Sequence, residues 1–109
     1  MEIKIKDHEG AKIIAPSGDI DMYTSLEVRK KLLRLIDQKI PVIMVDLTDV
    51  TYIGSSGIAT FVEGLKSMMS YSGRLKFFGI TARVEEIFNF SKLDKVFDMY
   101  GSMEDAFKS

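Results

Sequence analysis

The stretch from Val42 to Met69, VIMVDLTDVTYIGSSGIATFVEGLKSMM, constrains this chain more than any other. Val42, Ile43, Met44 and Val45 form an unbroken apolar run that closes on Asp46 and Leu47. Apolar side chains at consecutive positions leave no face for water, so the run predicts a strand buried on both sides, at the centre of a sheet. Further on, Ile58, Phe61, Val62, Leu65, Met68 and Met69 recur at helical spacing and predict an amphipathic helix with that stripe against the sheet. Between the two, Gly54, Ser55, Ser56 and Gly57 set a pair of hydroxyls between glycines. A buried strand and a packed helix hold those hydroxyls rigidly at the surface, on a helix N-terminus. Function is expected there.

The flanking sequence supplies the other layers. Ile3 and Ile5 alternate with Lys4 and Lys6, the period of a half-buried strand. Asp7 to Gly10 reads as a hairpin turn, with the only histidine, His8, exposed on it. A second strand over Ala11–Ala15 is broken by Pro16, Ser17 and Gly18. Thr24 and Glu27 have the form of a capping box, opening a helix whose stripe is Val28, Leu32, Leu35 and Ile36. The cations Arg29, Lys30 and Lys31 lie off that stripe and read as a solvated face. After a turn over Ser70–Gly73, Leu75 and Phe77 alternate with Arg74 and Lys76 in another strand. Thr81 caps a short helix carrying Val84, Ile87 and Phe88. Val96–Tyr100 reads as an edge strand, and Ser102 starts a last helix that buries Ala106 and Phe107. The order β-β-α-β-α-β-α-β-α predicts an α/β fold: one domain over residues 1–109, a mixed sheet of four to five strands, and about four helices.

Composition removes several function classes. A net charge of -1 offers no electrostatic case for nucleic acid or an anionic membrane. The absence of cysteine excludes disulfides and thiolate metal sites. No secretion signal and no apolar run near the ~20 residues of a membrane span is present, so the expected location is the cytoplasm.

Enzyme templates fail on specific residues. A nucleophile elbow around Ser56 needs glycine where Ile58 stands, and His8 is remote in sequence. No phosphate-binding glycine loop or histidine metal pair occurs. Asp19, Asp21, Asp46 and Asp49 suit loop organisation better than a cation site. Ser56 itself has two readings, a helix N-cap worth about 1 kcal/mol and a modified serine. Gly57, Ile58, Ala59 and Thr60 include no acid, so the positive end of the helix dipole is left for an anion, favoured by roughly 0.3–1 kcal/mol.

The run Asp46-Leu47-Thr48-Asp49-Val50-Thr51-Tyr52-Ile53-Gly54-Ser55-Ser56-Gly57-Ile58 resembles the signature of the STAS domain, specifically that of bacterial anti-sigma-factor antagonists. Gly18-Asp19-Ile20-Asp21 with Thr24, and Ser102-Met103-Glu104-Asp105-Ala106, resemble two further segments of that family in the same order. The resemblance implies a non-enzymatic regulator without cofactor or metal. Its unmodified form binds an anti-sigma factor that is also a serine kinase, and sigma is released. Phosphorylation at Ser56 breaks the complex, and a metal-dependent serine phosphatase restores it. Asp21, Thr24, Gly54, Ser55, Ser56 and Gly57 are the implied partner-binding residues. Gly54 departs from the family, which usually has Asp there; this bears on kinase and partner specificity more than on the fold. A second reading keeps the fold and makes it a nucleotide- or ligand-binding module, or a subunit of a larger regulatory or transport assembly.

Overall fold

A computed structural model describes residues 1–109. Its main sheet is built on Val42–Asp46, strand β4. In chain order, the elements before it are Ile3–His8 (β1), Ala11–Pro16 (β2), Gly18–Ile20 (β3) and Ser25–Asp37 (α1). After it come Val50–Ile53 (β5), Ser55–Met69 (α2), Arg74–Phe78 (β6), Ala82–Phe90 (α3), Asp98–Tyr100 (β7) and Met103–Lys108 (α4). The five-stranded sheet has the order β1-β2-β4-β6-β7, with β1 antiparallel to β2 and the other neighbours parallel. The expected mixed sheet, central β4 and four helices are all present.

Consecutive apolar residues in β4 feed two cores, because successive side chains leave opposite faces of a strand. Ile43 and Val45 join Ile14, Leu75 and Phe77 under α1, α2 and α3. Met44 joins Ala11, Ile13, Phe78 and Ala106 under α4. Phe77 anchors the larger core through edge-on contacts with Phe61 and Phe97, at centroid separations of 5.1 and 4.9 Å.

Several expectations are corrected. Strands β3 and β5 form a separate two-stranded parallel sheet where only loop and turn were expected. On α2, Phe61 and Met68 are buried, Ile58, Val62 and Leu65 only half so, and Met69 is 67% exposed. The face turned inward carries Gly57, Thr60 and Gly64 as well. Close approach of α1 is the reason: a Cβ at Gly64 would lie 2.7 Å from Leu32 Cδ2. Ile5 is exposed, because β1 is an edge strand that no helix covers at that point. The last strand is shorter than Val96–Tyr100, leaving Val96 outside it and exposed.

Two polar residues also sit deeper than their patterns imply. Lys76 is 2% exposed, its ammonium donating to the carbonyls of Ala106 (2.8 Å) and Ser109 (2.9 Å) and lying 2.9 Å from Ser109 Oγ. It binds the C-terminal end of α4, where carbonyls are unpaired and the dipole favours a cation. His8 is the last residue of β1 rather than an exposed turn, half-buried with its ring edge-on to Phe107 at 4.5 Å. Phe107 itself is half-buried, not fully covered.

Candidate functional site

The site begins where β5 ends. The Gly54 amide donates to the Ile20 carbonyl at 2.8 Å, joining the end of β3 to the start of α2. Gly54, at φ -84° and ψ 178°, is the N-cap of α2, and its carbonyl accepts from the amides of Gly57 (3.0 Å) and Ile58 (3.1 Å). Ser56 is therefore not the cap but the second residue of the helix, and Gly57 is the third rather than the first. With glycine at the cap, no side chain satisfies the N-terminus, and the amides of Ser55 and Ser56 have no acceptor in the protein. The first turn carries no acid. Free N–H groups and an uncompensated dipole together favour an anion there.

Gly57 fixes how this turn sits. A Cβ on it would stand 2.7 Å from Ile20 Cγ2 and 2.9 Å from Ile53 Cγ2, so the helix rests directly on the small β3–β5 sheet. Ser55 and Ser56, about 100° apart around the helix, then face different neighbours. Ser55 is exposed and lines a cleft of about 620 Å³ with Tyr52, Ile58, Arg83, Ile87 and Phe90. Ser56 is half-buried and outside that lining. On its side of α2, Thr60 is buried and hydrogen bonds to the Ser56 carbonyl at 3.0 Å, and further along Glu63 grips Arg29 of α1 through two contacts of 2.7 Å. Ser56 thus belongs to the α1 side of the helix and Ser55 to the α3 side.

The loop from Asp21 to Thr24 is ordered by its own polar groups. Asp21 Oδ1 accepts from the amides of Tyr23 and Thr24, both at 2.9 Å. Thr24 Oγ1 accepts from the Asp21 amide at 2.9 Å and donates to the Asp19 carbonyl at 2.7 Å. The amides of Thr24 and Tyr23 hold the Asp21 carboxyl below the usual aspartate range. The expected capping box does not form: the Thr24 hydroxyl turns back into the loop and makes no cap bond to α1. Asp21 takes that organising role instead.

Asp19, Asp46 and Asp49 are likewise engaged in local bonds. Asp19 accepts from the Thr51 hydroxyl across β3 and β5. Asp46 accepts from the Thr48 amide and hydroxyl, and the Asp49 carbonyl accepts from the Gly18 amide at 2.8 Å. No group of three or more His, Asp and Glu side chains is placed to hold a metal ion. His8, packed against α4, lies on the sheet face away from α2 and meets neither serine.

A STAS domain model matches residues 2–106. The chain belongs to the STAS domain family. Within it, the chain is 30% identical over 99 residues to an anti-sigma-B factor antagonist of Listeria monocytogenes, covering 91% of this chain and 86% of that one. In fold it is similar to an anti-sigma factor antagonist from Mycobacterium paratuberculosis, with TM-score 0.89, 22% identity, and 98% and 91% of the two chains covered. It also matches the Bacillus cell fate determinant SpoIIAA in its phosphorylated form, with TM-score 0.74, 17% identity, and 98% and 97% covered. The chain is a STAS domain of the anti-sigma-factor antagonist family.

In this STAS domain the motif residues Gly54, Ser55, Ser56 and Gly57 form the junction between the small sheet and α2. The bond from Gly54 to Ile20 brings the Asp21–Thr24 loop up beside them. Sequence reasoning missed Arg83 and Phe90, which complete the cleft beside Ser55. Phe90 is 91% exposed at the end of α3, an aromatic residue off that helix's buried stripe, and this was the available signal.

Proposed function

We propose that the protein is an anti-sigma-factor antagonist whose unmodified form binds an anti-sigma factor and so frees sigma. The partner is also the serine kinase, Ser56 is the phosphoacceptor, and a metal-dependent serine phosphatase resets the cycle in the cytoplasm. One observation carries the reading: Ser56 stands in an acid-free, uncapped first helical turn, on the side facing α1. A phosphate adds about -1.5 to -2 charge and three acceptor oxygens. The unpaired amides and helix dipole of α2 accommodate that charge within the free protein. Across an interface the same group must be desolvated or must meet partner carboxylates, which breaks the complex. Asp21, Thr24, Gly54, Ser55, Ser56 and Gly57 frame this surface.

The test is phosphorylation of wild type, Ser55→Ala and Ser56→Ala by the purified cognate anti-sigma factor with ATP, followed by peptide mapping. Incorporation is expected in wild type and Ser55→Ala and absent in Ser56→Ala. Undiminished incorporation in Ser56→Ala removes the assignment. The cleft between α2 and α3 favours a second reading, a ligand-binding STAS module, because Tyr52, Arg83, Glu86 and Phe90 line it together. Saturable nucleotide binding lost in Arg83→Ala, with no phosphorylation at Ser56, would select that reading instead.

A further inference from the structure

The loop before α1 and the exposed face of that helix are more than a solvated surface. Met22, Tyr23 and Leu26 are 67%, 77% and 67% exposed, three large apolar side chains within five positions. They are not on a loose segment. The Asp21 and Thr24 bonds, and a 2.9 Å bond from the Ser25 amide to the Asp21 carbonyl, lock the backbone that bears them. A fold that rigidly presents apolar groups to water offers a preorganised contact surface, since little ordering remains to be done on binding.

Charge extends the patch along the helix. Leu26, Lys30, Leu33 and Arg34 line a shallow groove of about 460 Å³ on the outer surface of α1, with Asp37 at its far end. Arg29, at its edge, is committed to Glu63 of α2, whereas Lys30 and Arg34 form no ion pair. Arg29 is thus a strut between helices, while Lys30 and Arg34 are free charges beside leucines. Helical spacing sets Leu26, Lys30 and Leu33 along one stripe.

We infer that Met22, Tyr23, Leu26, Leu33, Lys30 and Arg34 form the affinity anchor for the anti-sigma factor, receiving a partner surface of apolar residues flanked by carboxylates. This rests on the proposed function and divides its labour: α1 holds the partner, and Ser56 at the edge of the contact decides whether it stays. Carboxylates on the partner would complement the two free cations, which have no counter-charge in the groove other than Asp37. Tyrosine at the exposed apex suits an anchor, as aromatic residues dominate interface energetics.

The test is calorimetric titration of the purified anti-sigma factor into wild type, Tyr23→Ser/Leu26→Ser, Lys30→Glu/Arg34→Glu and Phe90→Ala, each at two salt concentrations. All five positions are at the surface, so melting temperatures should match wild type and report folding. Both α1 variants are expected to bind at least tenfold more weakly, with the salt dependence flattened by the charge reversal. Wild-type binding undiminished in both α1 variants overturns this inference and leaves the proposed function standing. Loss confined to Phe90→Ala moves the anchor to the α3 cleft and overturns it as well. If sedimentation shows a wild-type dimer that the α1 variants dissolve, the patch serves a second copy of this chain, and the inference fails. Absence of any wild-type binding brings down the proposed function and this inference together.

Discussion

The Gly54 amide and the Ile20 carbonyl meet at 2.8 Å, and this bond sets the serine-bearing turn beside the Asp21–Thr24 loop. It crosses from the end of β3 to the cap of α2. Two segments distant in sequence become one surface through it, and the consequences can be tested position by position.

Gly57 and Gly54 should respond oppositely to a side chain. Gly57→Ala forces a methyl to within 2.7 Å of Ile20 and 2.9 Å of Ile53, and should destabilise the fold by about 1–3 kcal/mol. Gly54→Asp meets only ordinary contacts, the nearest Tyr52 Cε2 at 3.4 Å, and places a carboxylate at an unfilled N-cap. It should raise stability by roughly 0.3–1 kcal/mol. Thermal melts of the two variants check both signs.

For Ser56, fold and binding should separate. Ser56→Ala should melt like wild type and keep its partner. Full phosphorylation should leave the melt unchanged or raised, because the unpaired amides of α2 can receive the phosphate. Losing ~3 kcal/mol at the interface corresponds to more than a hundredfold in affinity. Ser56→Asp should show part of that loss, having less charge than a phosphate. Equal affinity of modified and unmodified protein would falsify the switch.

Asp21 should make the loop sensitive to acid. Bonds from the amides of Thr24 and Tyr23 lower its pKa in the folded protein. The stabilisation they confer is complete above the unfolded value of about 3.9 and is lost as pH falls through the lower folded value. Wild type and Asp21→Asn should therefore differ most near neutrality and converge below about pH 4. Urea titrations across that range provide the comparison, and parallel curves at every pH would contradict it.

Lys76 should control α4 rather than the phosphoacceptor site. Lys76→Ala removes the charged donor to the carbonyls of Ala106 and Ser109, leaving the Ala106 carbonyl only the Ser109 hydroxyl, at a cost of about 1–3 kcal/mol. Amide exchange should quicken in α4 and in the strands beneath it, while α2 keeps its protection. Uniform loss of protection across both cores would instead make Lys76 a general stability residue.

Local pattern made much of this molecule legible. The run Val42–Val45 specified a central strand because it has no polar face to turn to water, wherever its neighbours come from. The start signals of α3 and α4 are equally local, and both Thr81 and Ser102 accept the cap bonds expected of them. The motif around Ser56 identified the family because its residues are contiguous.

What the tertiary structure decided depends on partners brought from elsewhere in the chain. Strands β3 and β5 have three and four residues, too few to show a period, and exist because they pair with each other. Thr24 and Glu27 carry a capping-box spacing, yet Asp19 and Asp21 compete successfully for the Thr24 hydroxyl. Lys76 alternates like a surface residue and is buried because the end of α4 arrives above it. The divergence of Ser55 and Ser56 has the same origin. Adjacent hydroxyls are equivalent in a sequence, but once Gly57 seats the helix on Ile20 and Ile53, one faces the α3 cleft and the other the α1 side.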